Sequence, residues 1–265
     1  MDEDANPAPV ILRAHDQVRI LALNRPELLN AIDSAMAEAI QRAITEVAAD
    51  ADCRCLVLAA EGRAFCSGQA LPTGGDEELP ADIAGLIRER YLPIVTGLQR
   101  LPIPVLAAVN GLAVGAGFSL ALACDLRVAS SSAWFSCGFE RIGLVPDSGA
   151  TYFLPRLLGL SRALELVWLG GRISADEALR LGLVARVYPD SSFESDYLAL
   201  AAELAQGATR ALGQSKRLLL QGWGSTLDEQ LELEATLQQA SSETEDFREG
   251  LRAFKERRPP RFQGR

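Results

Sequence analysis

Residues 110–125 read NGLAVGAGFSLALACD, with Gly111, Gly115 and Gly117 ahead of an apolar run that holds no lysine. A glycine-rich turn entering a helix ordinarily cradles phosphate, but this spacing is neither the dinucleotide fingerprint nor a P-loop. A second glycine-bearing turn, AFCSGQAL (64–71), follows the run CLVLAA (55–60), just as the first follows VLAAVN (105–110). Two such turns at neighbouring strand ends can aim two backbone N–H groups at one oxygen. That is the geometry of an oxyanion hole, whose donors stand about 2.7–3.1 Å from an oxygen that becomes negative only during reaction. Gly117 allows the helix start to pack closely, and the helix dipole adds partial positive charge there. The same glycines also read as plain tight turns, and spacing alone leaves both readings open. A third stretch, LVPDSGAT (144–151), holds Asp147. Its local reading is a Pro-Asp-Ser-Gly turn in which Asp147 or Ser148 caps the next helix.

What the chain lacks narrows the chemistry. His15 is the sole histidine, so a multi-histidine zinc site is excluded and a Ser-His-Asp triad has no partner near a serine motif. A carboxylate is the expected proton carrier. No metal is expected. The net charge of −9 disfavours nucleic acid as the main partner, since phosphate neutralisation dominates that affinity. No apolar run reaches the length of a membrane span, and the acidic start MDEDANPAPV lacks the order of a secretory signal. A cytoplasmic protein is expected. Cys53, Cys55, Cys66, Cys124 and Cys137 stand mostly in apolar strings and read as buried thiols.

The elements that must position these turns alternate. VRILAL (18–23), CLVLAA, VLAAVN and LRVAS (126–130) have strand length. Met36, Ile40, Ala43 or Ile44, and Val47 recur at helical spacing behind the candidate N-caps Asp33 and Ser34. GFSLALACD reads as a buried helix. Strand–helix–strand order implies mostly parallel pairing, so the fold class is α/β. PTGGDEELPAD (72–82) reads as a mobile surface loop able to act as a lid. After Gly170 the pattern turns helical, with capping-box strings SADE (174–177), TLDE (226–229) and SETE (242–245), a stop at Gly182, and Pro259–Pro260 ending the last helix. There is no internal sequence repeat. The layout predicts a core of about 190 residues with a helical C-terminal appendage.

Five strings occur in order and at fitting separations: ALNRPELLNAI, AFCSGQAL, PVLAAVNGLAVGAGFSLALACDLRVAS, IGLVPDSGATYFLPRLLG and EGLRAFKERRPPRF. Together they resemble the crotonase, or enoyl-CoA hydratase/isomerase, superfamily from about residue 10 to the end. The resemblance implies a crotonase-like ββα spiral core over 1–195 and a C-terminal helical region over 196–265 for trimerisation and CoA contact. It further implies a homotrimer or dimer of trimers, an acyl-CoA thioester as substrate, an enolate intermediate, and no cofactor beyond the CoA of the substrate. By position the oxyanion donors are the N–H groups of Gln69 and Ala116. Arg25 falls near the pyrophosphate, and Arg257 of a neighbouring subunit falls near the ribose phosphate, with Lys255 and Arg258 as possible substitutes. The turn Ala64–Leu71, including Ser67 and Ala70, is expected to meet adenine and pantetheine through its backbone. Ala70 replaces an aspartate common in the family. Leu71, Gly115, Phe139, Leu144 and the stretch IAGLIRERYLPIVTGL (83–98) are the candidate contacts of the acyl part.

Two departures choose among crotonase reactions. The water-handling glutamates of family hydratases fall at Ser119 and Phe139. Glu140, one step from the second position, is expected to point elsewhere. What remains is Asp147, where certain isomerases of the family keep a single acid/base. The run GFERIGLVPDSGATYFLPRLLG looks especially like an isomerase of ring-epoxidised phenylacetyl-CoA and unsaturated acyl-CoA. The expected function is therefore an acyl-CoA isomerase with Asp147 as acid/base. The competing readings are an enoyl-CoA hydratase, an Asp147-nucleophile hydrolase or dehalogenase, and a non-catalytic acyl-CoA-binding protein. The dehalogenase branch carries a histidine in its glycine-rich half, which this chain lacks.

Overall fold

A computed structural model describes residues 8–71 and 81–265; the expected lid at 72–82 lies almost wholly outside them. In chain order the elements are β1 (Val10–His15), β2 (Val18–Leu23), α1 (Ser34–Ala49), β3 (Cys55–Ala60), β4 (Ala64–Cys66), α2 (Ile83–Leu86), a π-helical turn (Ile87–Tyr91), α3 (Leu92–Arg100), β5 (Val105–Val109) and β6 (Leu112–Val114). There follow α4 (Ala116–Leu122), β7 (Leu126–Ser130), β8 (Trp134–Ser136), a 3-10 turn (Phe139–Ile142), α5 (Ala150–Leu158), α6 (Leu160–Leu169), β9 (Ile173–Ser174), α7 (Ala175–Leu181) and β10 (Arg186–Tyr188). Four helices end the chain: α8 (Phe193–Ala205), α9 (Thr209–Gln221), α10 (Leu227–Ser242) and α11 (Glu245–Glu256).

The main sheet runs β1-β2-β3-β5-β7-β10, parallel except for the β1–β2 hairpin. Its central strands β3 and β5 are apolar throughout because both faces are covered. Leu21, Leu23, Leu56, Leu58, Val105 and Ala107 face the larger core with α1, α3 and α4. The alternate residues Val18, Ile20, Cys55, Val57, Leu106 and Ala108 face Phe193, Tyr197 and Leu200 of α8. Residue 195, the expected end of the core, thus falls inside a helix that packs on the sheet.

A second, smaller sheet runs β4-β6-β8-β9. Each of β3, β5 and β7 is followed at once by a short strand of this sheet and then by helix, which gives three successive ββα units in matching order. The repeat is one of backbone path, and no repeat of residue types accompanies it.

Asp33 caps α1 by accepting from Met36 N–H, as its position predicts. Ser174 and Thr226 likewise cap α7 and α10. Three expectations need correction. SETE is not a capping box, since Ser242 ends α10 and Thr244 caps α11. The region after Gly170 is not wholly helical, for β9 and β10 return to the two sheets. Neither Asp147 nor Ser148 caps α5, which begins after Gly149 with no side-chain cap bond. All five cysteines are free and buried.

Candidate active site

The two glycine turns lie against each other. Gly68 has φ +102°, and a Cβ there would stand 2.9 Å from the Val114 carbonyl and 3.4 Å from Ala116 N. At Gly117 a Cβ would meet the Cys66 carbonyl at 2.4 Å, so the α4 start can approach β4 only as glycine. Gln69 is held from one side by Ile32, whose N–H donates to the Gly68 carbonyl (2.8 Å) and whose carbonyl accepts from Ala70 N–H (2.9 Å). In a parallel bridge the flanking peptides make those bonds, which turns the N–H of Gln69 itself away from Ile32. Neither Gln69 N–H nor Ala116 N–H has an acceptor among the described residues. Two unpaired donors therefore sit on adjoining turns, one of them at the start of a helix.

Asp147 reaches this corner through Ser119. The fully buried Ser119 hydroxyl shares its one proton between the Gly115 carbonyl (3.2 Å) and the Asp147 carbonyl (3.0 Å). This ties the start of α4 to the turn in which Ser148 (φ 53°) and Gly149 (φ 90°) adopt left-handed backbone. The Asp147 carboxyl is half-buried and accepts from Ser148 Oγ at 2.8 Å. Burial raises its pKa above the ordinary carboxylate value, and the Ser148 bond offsets part of that rise.

Tyr91, which the sequence did not single out, belongs to the same cluster. It is buried, and its O–H donates to Gln69 Oε1 at 2.7 Å. Burial first, then nearby Cys66 and Asp147, push its pKa upward.

Phe139 is buried at the start of the 3-10 turn, and its carbonyl accepts from Leu144 N–H at 3.1 Å. Glu140 turns elsewhere, over Gly170 at the end of α6, where a Cβ would meet its Oε1 at 2.1 Å. Leu71 and Leu144 are exposed, the latter beside exposed Ile142 and Val145.

The Arg25 guanidinium is ion-paired with Asp33, the cap of α1. Burial alone would raise the Asp33 pKa, but hydrogen bonds from Met36 N–H and Arg25 outweigh it and leave the group below its usual value. Along the Ala64–Leu71 turn, Ser67 N–H and Ala70 N–H are spent on the Leu29 (3.0 Å) and Ile32 carbonyls. The buried Ala64 carbonyl accepts from Asn30 Nδ2 at 2.8 Å. Backbone donation from this turn to a ligand is thus narrower than the sequence suggested. Arg257 closes α11 in left-handed backbone (φ 54°), is exposed, and has no ionic partner among the described residues. Arg258, the alternative, is ion-paired with Glu249 (2.6 Å) and Glu256 (2.6 Å). Cavities of about 810 and 400 Å³ open on other faces, around α9, and neither is lined by Gln69, Ala116 or Asp147.

The arrangement has known counterparts. The family described as "Enoyl-CoA hydratase/isomerase" matches residues 13–265. A "Probable enoyl-CoA hydratase" of Rhodobacter capsulatus is 44% identical over 246 residues, covering 93% of this chain and 94% of that protein. A "1,2-epoxyphenylacetyl-CoA isomerase" of Escherichia coli K12 is 40% identical over 255 residues, covering 94% and 95%. The solved enoyl-CoA hydratase of Bacillus anthracis superposes with a TM-score of 0.87 at 34% identity, over 97% of this chain and 100% of that one. With its three ββα units, its paired glycine turns and these relatives over nearly the full length, the chain belongs to the enoyl-CoA hydratase/isomerase, or crotonase, family.

Proposed function

We propose that this chain is an acyl-CoA isomerase that moves a double bond through a thioester enolate. The carboxylate of Asp147 takes a proton from one carbon of the acyl chain. The electron pair moves onto the thioester oxygen, which the N–H groups of Gln69 and Ala116 stabilise. Asp147 then returns the same proton to another carbon, so no atom is gained or lost. Burial that raises the Asp147 pKa brings it toward the range in which a carboxyl both takes and gives a proton.

The observation that carries this reading is the Ser119–Asp147 junction. Where resemblance puts the first water-activating glutamate stands a hydroxyl whose proton is spent on two protein carbonyls. Where it puts the second stands the buried ring of Phe139. A dry wall suits proton shuttling, because water would add to the alkene or exchange the proton. Ring-epoxidised phenylacetyl-CoA belongs among the substrates to test, given the 40% identical relative named for it. The same proposal includes a homotrimer or dimer of trimers in the cytoplasm, with Arg25 and a neighbour's Arg257 at the CoA phosphates.

Hydration is the rival, favoured by the name of the 44% identical relative. One assay decides between them. Pure protein is given a 3-enoyl-CoA and crotonyl-CoA, and double-bond migration and hydration are followed together. Isomerisation is expected to exceed hydration by about 10²-fold or more, the scale of a missing acid–base pair. Comparable rates overturn the reading.

A further inference from the structure

The buried residues of the 83–100 segment step Leu86, Tyr91, Ile94, Leu98. The last two intervals are helical, but the first is five residues, which an uninterrupted α-helix would place on different faces. The π-helical turn Ile87–Tyr91 absorbs the extra residue. Its cause lies two positions on: Pro93 has no N–H, so the Glu89 carbonyl loses its α-helical donor. Gln41 of α1 makes good that loss, donating through Nε2 to the carbonyls of Glu89 (2.9 Å) and Arg90 (3.0 Å). Single π turns recur at functional sites because they re-aim one side chain.

Here the re-aimed side chain is Tyr91, whose O–H meets Gln69 Oε1 at 2.7 Å. The other end of the same amide, Gln69 Nε2, donates to the Ala70 carbonyl at 3.0 Å. The Gln69 side chain is therefore folded over its own turn and clamped at both ends. We infer that Tyr91 is a positioning residue: its hydroxyl fixes the Gln69 amide, and with it the direction of the Gln69 N–H that faces the substrate oxygen. The inference rests on the enolate reading, since that reading gives the Gln69 N–H its charge to bear. It links the 83–100 segment mechanically to the oxyanion hole without any contact between Tyr91 and substrate.

Tyr91→Phe keeps the ring and removes the hydroxyl. The probe is phenylacetyl-CoA labelled with ¹³C at the thioester carbonyl, whose infrared stretch in the bound state reports polarisation by the two N–H groups. In the wild type the band should lie below that of the free ester. In Tyr91→Phe it should move back toward the free value, with kcat on a 3-enoyl-CoA reduced about tenfold and KM within about threefold. Loss of a whole oxyanion donor costs roughly 10²–10³, and a misaimed donor costs less. Gln69→Met, which retains the backbone N–H, should reproduce the band movement, and adding Tyr91→Phe to it should move the band no further. A packing role alone lowers the unfolding midpoint and leaves the band in place, which overturns the inference. So does a further band movement in the double variant. If Tyr91→Phe fails to fold, an unmoved band in Gln69→Met is equally fatal to it. A wild-type band equal to that of the free ester overturns the oxyanion reading itself, and this inference with it.

Discussion

Asp147 holds its carboxyl where charge is disfavoured, and this fixes the sign of two effects. As the proposed base it must be ionised, and burial raises its folded pKa. The acid limb of kcat/KM should therefore lie above the ordinary aspartate value of about 3.9, and a pH profile checks this. For stability, a raised carboxyl pKa means a contribution present at low pH and lost as pH climbs through the folded pKa. Asp147→Asn removes that cost, and no cap bond is lost with it. Turnover should fall roughly 10²–10⁴-fold while the unfolding midpoint at pH 7 stays level or rises. More than a tenth of wild-type turnover in Asp147→Asn would put the proton carrier elsewhere. Residue types alone did not single out Asp147, because Pro-Asp-Ser-Gly is an ordinary turn; resemblance to the family did. Tyr91 was illegible for another reason. Helical phase with Ile94 and Leu98 marks it only as inward-facing, and nothing in the residue types foretells its bond to the Gln69 side chain.

At the scale of elements, what could be read from the sequence was what is long and doubly covered. The strands at 55–60 and 105–109 are continuous apolar runs, and those at 18–23 and 126–130 are broken only by Arg19 and by Arg127 and Ser130, because α8 lies on one face of the sheet and α1, α3 and α4 on the other. The second sheet was missed because β4, β6 and β8 have three residues each, too few to show a period. It is nevertheless the sheet that carries the turns. Gly117→Ala would force a Cβ to within 2.4 Å of the Cys66 carbonyl. It should cost about 1–3 kcal/mol of stability, as overpacking does, and lower turnover beyond that of the folded fraction. Chemical denaturation beside single-turnover kinetics measures both. In the C-terminal helices, hydrogen bonds from Arg258 and Arg261 N–H hold Glu249 down to about 2, from an ordinary 4.5. A lowered carboxyl pKa stabilises above the unfolded value and loses that effect as pH falls from 4.5 toward 2. Glu249→Gln should melt earlier than wild type at pH 7, and the gap should narrow as the pH falls through that window.

For the whole molecule, the net charge of −9 repels a CoA ester's phosphates, so cations must meet them locally. Arg25 is partly neutralised by Asp33, whereas Arg257 is exposed and has no ionic partner among the described residues. If a neighbouring copy supplies Arg257, Arg257→Ala should weaken binding of the CoA ester yet hardly alter binding of its dephospho analogue. Affinity in the wild type should also fall on dilution below the assembly concentration. Calorimetry with both ligands, paired with sedimentation, checks the two together. Equal weakening of both ligands removes Arg257 from the phosphate site.

Both proposed oxyanion donors belong to the main chain, and this hides them from most point substitutions. Exchanging a side chain at 69 or 116 for anything but proline leaves an amide N–H in place, so a mutational scan registers the donors chiefly through what aims them: Gly68, Gly117, Ile32, Tyr91 and the Gln69 side chain. Their direct deletion takes a proline, which also fixes φ, or an ester in place of the peptide bond before residue 69 or 116, introduced by semisynthesis. Substitution other than to proline therefore spares the proposed donors, while the proposed proton carrier Asp147 and its neighbours Ser119 and Phe139 can change by single codons.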